Sequence, residues 1–111
     1  MTDTITMTDF IQRCGPDAEL LVVDVREAGE YVEGHVPGAV LAPMSSLTTH
    51  LAGLPRDRDV YVICRSGNRS RACADIMAGQ GIRAISVSGG TEAWKIMRQP
   101  VVEGREPGVR A

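Results

Sequence analysis

At 111 residues the chain has room for one domain, and a formal net charge of −2 gives no argument for a nucleic-acid or membrane partner. Aromatic residues make up only 4 % of the chain, too few for a platform that stacks single-stranded nucleic acid, and no apolar run approaches the ~20 residues of a membrane span. The three cysteines, Cys14, Cys64 and Cys73, are odd in number and lack the short repeated spacing of a zinc site or a disulfide framework, so they read as reduced thiols in a cytoplasmic setting.

In chain order, the first residues lack the basic and apolar blocks of a signal peptide. Thr4-Ile5-Thr6 reads as a short edge strand. Thr8 and Asp9 look like a cap for a short helix through Phe10 and Ile11 that ends near Gly15-Pro16. Leu20 to Val23 is the first strong strand, apolar on both faces, as in a covered parallel sheet. It runs into Asp24-Val25-Arg26. Glu27 to Val32 reads as a short helix closed by Gly34. After the turn His35-Val36-Pro37-Gly38-Ala39 comes a short strand, Val40 to Ala42, which Pro43 breaks. Ser45 or Ser46 then caps a predicted helix to about Leu51, and residues 55–59 form a charged loop.

Val60 to Ile63 is a buried strand ending at Cys64. The polar run Arg65 to Ser70 contains Gly67 and Asn68, which accept positive φ. A helix through Ala72, Ala74, Ile76, Met77 and Ala78 follows, ending near Gly79-Gln80-Gly81. The last strand lies within Ile82 to Val87, its centre at Ala84 to Val87. Ser88-Gly89-Gly90 turns the chain and Thr91 caps a final helix from Glu92 to Met97, with Trp94 and Ile96 expected to face inward. Beyond Val102 the sequence turns polar. A single domain over 1–111 is expected, with its core at about 5–102 and a flexible tail over 103–111, a glycine- and proline-rich end also compatible with one domain cut from a longer chain.

Strands alternating with helices predict an α/β fold with a mostly parallel five-stranded sheet and helices on both faces. In such sheets ligands sit outside the carboxyl ends of the strands, where Cys64 falls. A strand, tight loop and helix in succession can turn backbone N–H groups onto an anion at a helix N-terminus, and a thiolate is an anion. Cys64 is therefore expected to be an available thiolate nucleophile. A free cysteine has a pKa near ~8.5, so the amides would have to favour ionisation. Arg65, Arg69 and Arg71 would add a positive field, with no acid among them.

Three separated motifs carry a resemblance to the single-domain rhodaneses, which are sulfurtransferases. Asp24-Val25-Arg26-Glu27 follows the first strong strand, with Tyr31, His35, Pro37, Gly38 and Ala39 beyond it. Cys64-Arg65-Ser66-Gly67-Asn68-Arg69-Ser70 resembles the active-site loop, and Gly89-Gly90 with Trp94 resembles the family's ending. The similarity covers roughly Ile5 to Val102. It implies a rhodanese-like fold and a Cys64 that takes a sulfane sulfur and holds it as a persulfide. Arg65, Ser66, Gly67, Asn68, Arg69 and Ser70 would form the substrate-binding cradle, with no cofactor and no metal.

The implied partners are an anionic donor such as thiosulfate, which Arg65 favours, and a cyanide or thiol acceptor. A protein acceptor is the alternative, making the domain a persulfide relay or sensor, and a non-catalytic binding module is the third reading. Phosphatases and arsenate reductases that work through a thiolate resemble Cys-x5-Arg instead. Here the fifth intervening residue leads to Ser70, and Arg69 arrives one position early, which makes a tighter bowl suited to one sulfur atom.

Blander roles fit several neighbours. Asp24 and Arg26 read as an ion pair bracing the strand end, and His35 as a turn or packing histidine. Cys73 reads first as a core thiol and second as a thiol that resolves a persulfide. Cys14 is incidental, Trp94 a core anchor, and Gly89-Gly90 a turn first and a pocket wall second.

Overall fold

The computed structural model describes residues 3–15 and 18–109. Pro16, where the first helix was expected to stop, lies outside them. Five strands form one all-parallel sheet: β1 (Asp3–Ile5), β2 (Leu21–Asp24), β3 (Val40–Leu41), β4 (Asp59–Ile63) and β5 (Arg83–Val87), in spatial order β1-β5-β4-β2-β3. The register sets Val23 opposite Val62 and Val62 opposite Ser86. The helices are α1 (Met7–Arg13), α2 (Ala28–Glu33), α3 (Asn68–Gly79) and α4 (Gly90–Ile96).

The apolar strand runs are explained by burial on both faces. Val60, Val62 and Cys64 point to one face of the sheet, where they join Cys73, Ala74 and Met77 of α3 with Leu47 and Leu51. Tyr61 and Ile63 point to the other, with Phe10 of α1 and Trp94 of α4. There Phe10 lies 5.6 Å from the Tyr61 ring and 5.8 Å from Trp94, in tilted geometry. The Tyr61 hydroxyl accepts from the Arg13 guanidinium at 2.8 Å.

Four local expectations need correction. The first helix is capped by Thr6, whose side chain accepts from the Asp9 amide, and not by Thr8. The predicted helix to Leu51 is two short 3₁₀ segments, Met44–Thr49 and Leu51–Gly53. Serine and threonine crowd this stretch and compete for the backbone, as when the Thr49 hydroxyl donates to the Ser46 carbonyl at 2.7 Å. Ile96 faces solvent at 74 % exposure, because Trp94 alone takes the inward position on that turn. In the stretch after Val102, where fraying was expected, residues 103–109 carry backbone hydrogen bonds to the body of the domain, and residues 110 and 111 lie outside the described residues. Val102 and His35 exchange both backbone hydrogen bonds at 2.9 Å, Gly104 N–H donates to Val32, and Gly38 N–H donates to Pro107.

Chain order puts the site where the sheet's connections diverge. From β2 the chain moves outward to β3, whereas from β4 it moves the other way to β5. The loops leaving β2 and β4 therefore part at their carboxyl ends, which is where α/β sheets leave a crevice. Cys64 follows β4, while Asp24 ends β2 and Val25 and Arg26 follow it.

Candidate active site

The loop from Cys64 to Ser70 closes on its own first residue. The Gly67 N–H donates to Cys64 Sγ at 3.1 Å, and the Ser70 hydroxyl oxygen lies 3.5 Å from the same sulfur. Gly67 has φ +108°, a left-handed conformation that costs glycine nothing and lets the loop turn back. The chain then enters α3 at Asn68, so the sulfur also stands at the N-terminus of that helix.

Two carbonyls at the start of the loop are held from outside. The Thr91 N–H donates to the Cys64 carbonyl at 2.8 Å, and the Glu92 N–H donates to the Arg65 carbonyl at 3.0 Å. The Thr91 hydroxyl adds a third bond, to the Cys64 carbonyl at 3.1 Å. In a planar trans peptide the N–H points opposite to the C=O. Fixing the Arg65 carbonyl on α4 therefore aims the Ser66 N–H back toward the sulfur. A glycine at 90 makes this approach possible, since a Cβ there would sit 2.5 Å from both carbonyl oxygens.

The ionisation of Cys64 reflects two opposed effects. Burial is the larger single one and pushes the thiol up. The Ser70 hydroxyl and the amides of Ser70, Gly67 and Ser66 together outweigh it, so the pKa falls below the ordinary thiol value. Among the described residues Cys73 has no such donors. Burial, and then the charge of Cys64, push it up to about 11, as befits the core thiol expected from the sequence.

The sulfur is less open than expected, with Cys64 only 1 % exposed. The reason is the alternation of β4: Cys64 continues the series Val60, Val62 toward the α3 side of the sheet. Around the sulfur, Gly67, Ser70 and Gly90 are buried, whereas Arg65, Ser66 and Asn68 are exposed on the rim.

The positive field is also weaker than the loop alone suggests, because acids reach it from other helices. Arg69 makes a bidentate pair with Glu30 of α2 at 2.7 and 2.8 Å. That pair holds the Glu30 carboxyl down to about 2 and raises the Arg69 guanidinium. Arg65 meets Glu92 of α4 at 3.4 Å, both exposed. Beside the loop opens a cleft of about 400 Å³, and its charged walls are Arg26, Arg65 and Lys95 against Glu30, Glu33 and Glu92. It reaches the loop through Arg65 and Thr91.

The supporting residues behave as their types suggest. Asp24 and Arg26 form a buried pair at 2.8 Å, and Arg26 also donates to the Gly34 carbonyl at 2.9 Å. His35 is buried, stacked 3.6 Å from Tyr31, with its ring nitrogens 2.9 Å from the Tyr31 carbonyl and 3.0 Å from that of Glu106. Neither touches the sulfur. Glu30, Glu92 and Ser86 escaped the sequence reading as site residues, and Thr91, expected to cap the last helix, lies inside it after the Gly89 cap and bonds the Cys64 carbonyl instead. Glu30 had a visible local role, reaching back to the Glu27 N–H at 3.2 Å, which hid its contact with Arg69, 39 positions on.

Comparison with known proteins agrees with this architecture. A sulfurtransferase of Allochromatium vinosum is 35 % identical over 103 residues, covering 92 % of this chain and 96 % of that protein. The crystal structure of a rhodanese-related protein from Thermoplasma volcanium superposes with a TM-score of 0.82 at 31 % identity, covering 94 % of this chain and 99 % of that one. A rhodanese-like domain protein from Staphylococcus aureus gives 0.79 at 29 % identity, over 84 % of this chain and 91 % of that one. The rhodanese-like domain model matches residues 6–97, a span that takes in α1 through α4 and the whole Cys64 loop, and the chain belongs to that family.

Proposed function

We propose that this protein is a sulfurtransferase that carries sulfane sulfur as a persulfide on Cys64. The observation that supports it most directly is the Gly67 N–H on Cys64 Sγ at 3.1 Å, within a loop whose other amides also favour the thiolate. The thiolate, and not the thiol, is the nucleophile such chemistry needs. The similarity to a sulfurtransferase over nearly the full length of both chains points the same way.

The two steps balance without a cofactor. The Cys64 thiolate attacks the outer sulfur of thiosulfate, a new S–S bond forms, the old one breaks, and sulfite leaves with its electron pair. Cyanide or a thiolate then attacks the terminal sulfur, and the Cys64 thiolate is regenerated. The amides that hold the thiolate also suit the negative persulfide and the charge developing between the two states. Arg65, exposed on the rim and held only loosely by Glu92, supports an anionic donor. Ser66, Gly67 and Ser70 contribute the cradle. Asn68 lies exposed on the rim, and Arg69 acts mainly by fastening the loop to α2.

The depth of the sulfur fits a carried atom. A persulfide moves the reactive centre outward by one S–S bond, about 2 Å. The loaded form thus presents its sulfur to an acceptor from a floor where the bare thiol is shielded. Cys14, Cys64 and Cys73, none of them in a disulfide among the described residues, suit a reducing compartment such as the cytoplasm.

Mass spectrometry tests the reading. After thiosulfate treatment the protein gains one sulfur, and Cys64→Ser does not. A wild-type protein that stays unmodified with thiosulfate and with small-molecule persulfides overturns it. Fast loading with slow release to cyanide, but fast release to a protein thiol, would assign the relay form of the same chemistry.

A further inference from the structure

Ser86 sits in the middle of β5, fully buried, where the alternation of a covered strand calls for an apolar residue. It lies opposite Val62, on the face of the sheet that Cys64 also occupies. Its hydroxyl is 2.7 Å from the Ser70 hydroxyl, and Ser70 is its single side-chain hydrogen-bonding partner among the described residues. Ser70, also fully buried, lies 3.1 Å from the Gly67 carbonyl and 3.5 Å from Cys64 Sγ.

Counting protons gives this chain a direction. Each hydroxyl has one proton to donate. The Ser86 proton has one acceptor within reach, the Ser70 oxygen. Were the bond reversed, the Ser86 proton would be buried without a partner, which costs about 1–3 kcal/mol. Ser86 therefore donates to Ser70. The Ser70 proton is left to choose between the Gly67 carbonyl and the sulfur. While Cys64 is a thiol, its S–H points at Ser70 and the Ser70 proton rests on the Gly67 carbonyl. Once Cys64 is a thiolate, the Ser70 proton turns to the sulfur, and its donor strength is raised by the bond that Ser70 receives from Ser86.

We propose that Ser86 is a positioning residue for the sulfur: it holds the Ser70 hydroxyl so that Ser70 donates to the Cys64 thiolate. This rests on Cys64 working as a thiolate, the reading given above. The residue touches neither donor nor acceptor of sulfur and acts through Ser70. The other titratable groups that sense the Cys64 charge are Arg69 and Cys73, both on α3 and both present in every variant below.

The experiment is a pH titration of thiolate absorbance near 240 nm on the full chain, with the same curve for Cys64→Ser subtracted. It needs no sulfur donor, so it reads Ser86 even if the sulfur-loading test fails. Ser70→Ala is expected to raise the Cys64 midpoint by about one unit and Ser86→Ala by roughly half of that. Ser86→Ala is expected to add nothing in the Ser70→Ala background. Ser86→Thr and Ser86→Val form a second pair of nearly equal volume that differs in the hydroxyl. Thr is expected to titrate like wild type and Val like Ala, which separates hydrogen bonding from packing should Ala fold poorly. Equal midpoints for the Thr and Val variants, or a Ser86→Ala shift that persists undiminished without the Ser70 hydroxyl, would overturn the proposal.

Discussion

Glu30 and Arg69 clasp each other through two parallel hydrogen bonds, at 2.7 and 2.8 Å, and so tie α2 to the first turn of α3, where the Cys64 loop ends. The pair is one-third exposed, so its worth is limited by solvent screening to about 1 kcal/mol despite good geometry. The pair holds Glu30 down to about 2 in the folded chain against an ordinary value of 4.5. A depressed carboxyl stabilises the fold above its unfolded pKa and loses that contribution as pH falls through the folded one. Glu30→Gln should therefore be about 1 kcal/mol less stable than wild type at neutral pH. In urea melts the gap should close between about pH 4.5 and 2. A gap that does not change with pH would mean that the pair is not the source.

A second expectation concerns access. Cys64 is almost wholly buried, and the exposed rim consists of Arg65, Ser66 and Asn68. Small alkylating agents should reach the sulfur, and bulky ones should not. Iodoacetamide is expected to modify Cys64 more than about tenfold faster, relative to a free thiol, than a bulky N-aryl maleimide, a difference of roughly 1.4 kcal/mol in barrier. Mass spectrometry of the modified peptide reads the ratio. Equal relative rates would place the sulfur nearer the mouth than described.

The exposure of α4 supplies a third. Trp94 is 3 % exposed, packs on Phe10 and donates its indole N–H to the Pro100 carbonyl at 2.7 Å. Ile96, two residues on, faces solvent. Trp94→Ala should cost about 3–5 kcal/mol, whereas Ile96→Lys should stay within ~0.5 kcal/mol of wild type. Chemical denaturation measures both. A large loss on Ile96→Lys would indicate that this face is covered in solution.

These contrasts mark what the sequence made legible. The strands were plain, because runs such as Leu20 to Val23 and Val60 to Ile63 fit a sheet covered on both faces. The loop was plain too, because its chemistry is contiguous: the cysteine and the Gly67 and Ser70 groups that serve it lie within seven residues. What escaped was long-range. Glu30 and Glu92 neutralise the loop arginines from 39 and 27 positions away, distances no local pattern encodes. Ile96 misled because a short helix with few apolar residues does not define its own buried face. Residues 103–109 misled because their composition is polar, whereas backbone hydrogen bonds to Val32 and Gly38 are independent of side-chain type. Ser86 left a trace of another kind, a hydroxyl in the centre of a buried strand.

The dependence of the loop on α4 is open to one substitution. Gly90 has φ +60°, and a Cβ there would stand 2.5 Å from the carbonyl oxygens of Cys64 and Arg65. These are backbone atoms and cannot rotate away as a side chain would. Gly90→Ala must therefore push α4 off the loop, lengthening the Thr91 and Glu92 amide bonds to those same carbonyls. The cost should be about 2–4 kcal/mol of stability, combining the left-handed backbone with the clash. Releasing the carbonyls also frees the Ser66 N–H from its aim at the sulfur, so the Cys64 thiolate midpoint should rise in the fraction that remains folded. Gly29→Ala is the control: that glycine lies in α2, its added methyl would meet nothing within 4 Å, and alanine is the better helix former. It should leave the midpoint unchanged and stability equal or slightly higher. A Gly90→Ala protein with wild-type stability and an unshifted thiolate would show that the α4 amides do not set the loop.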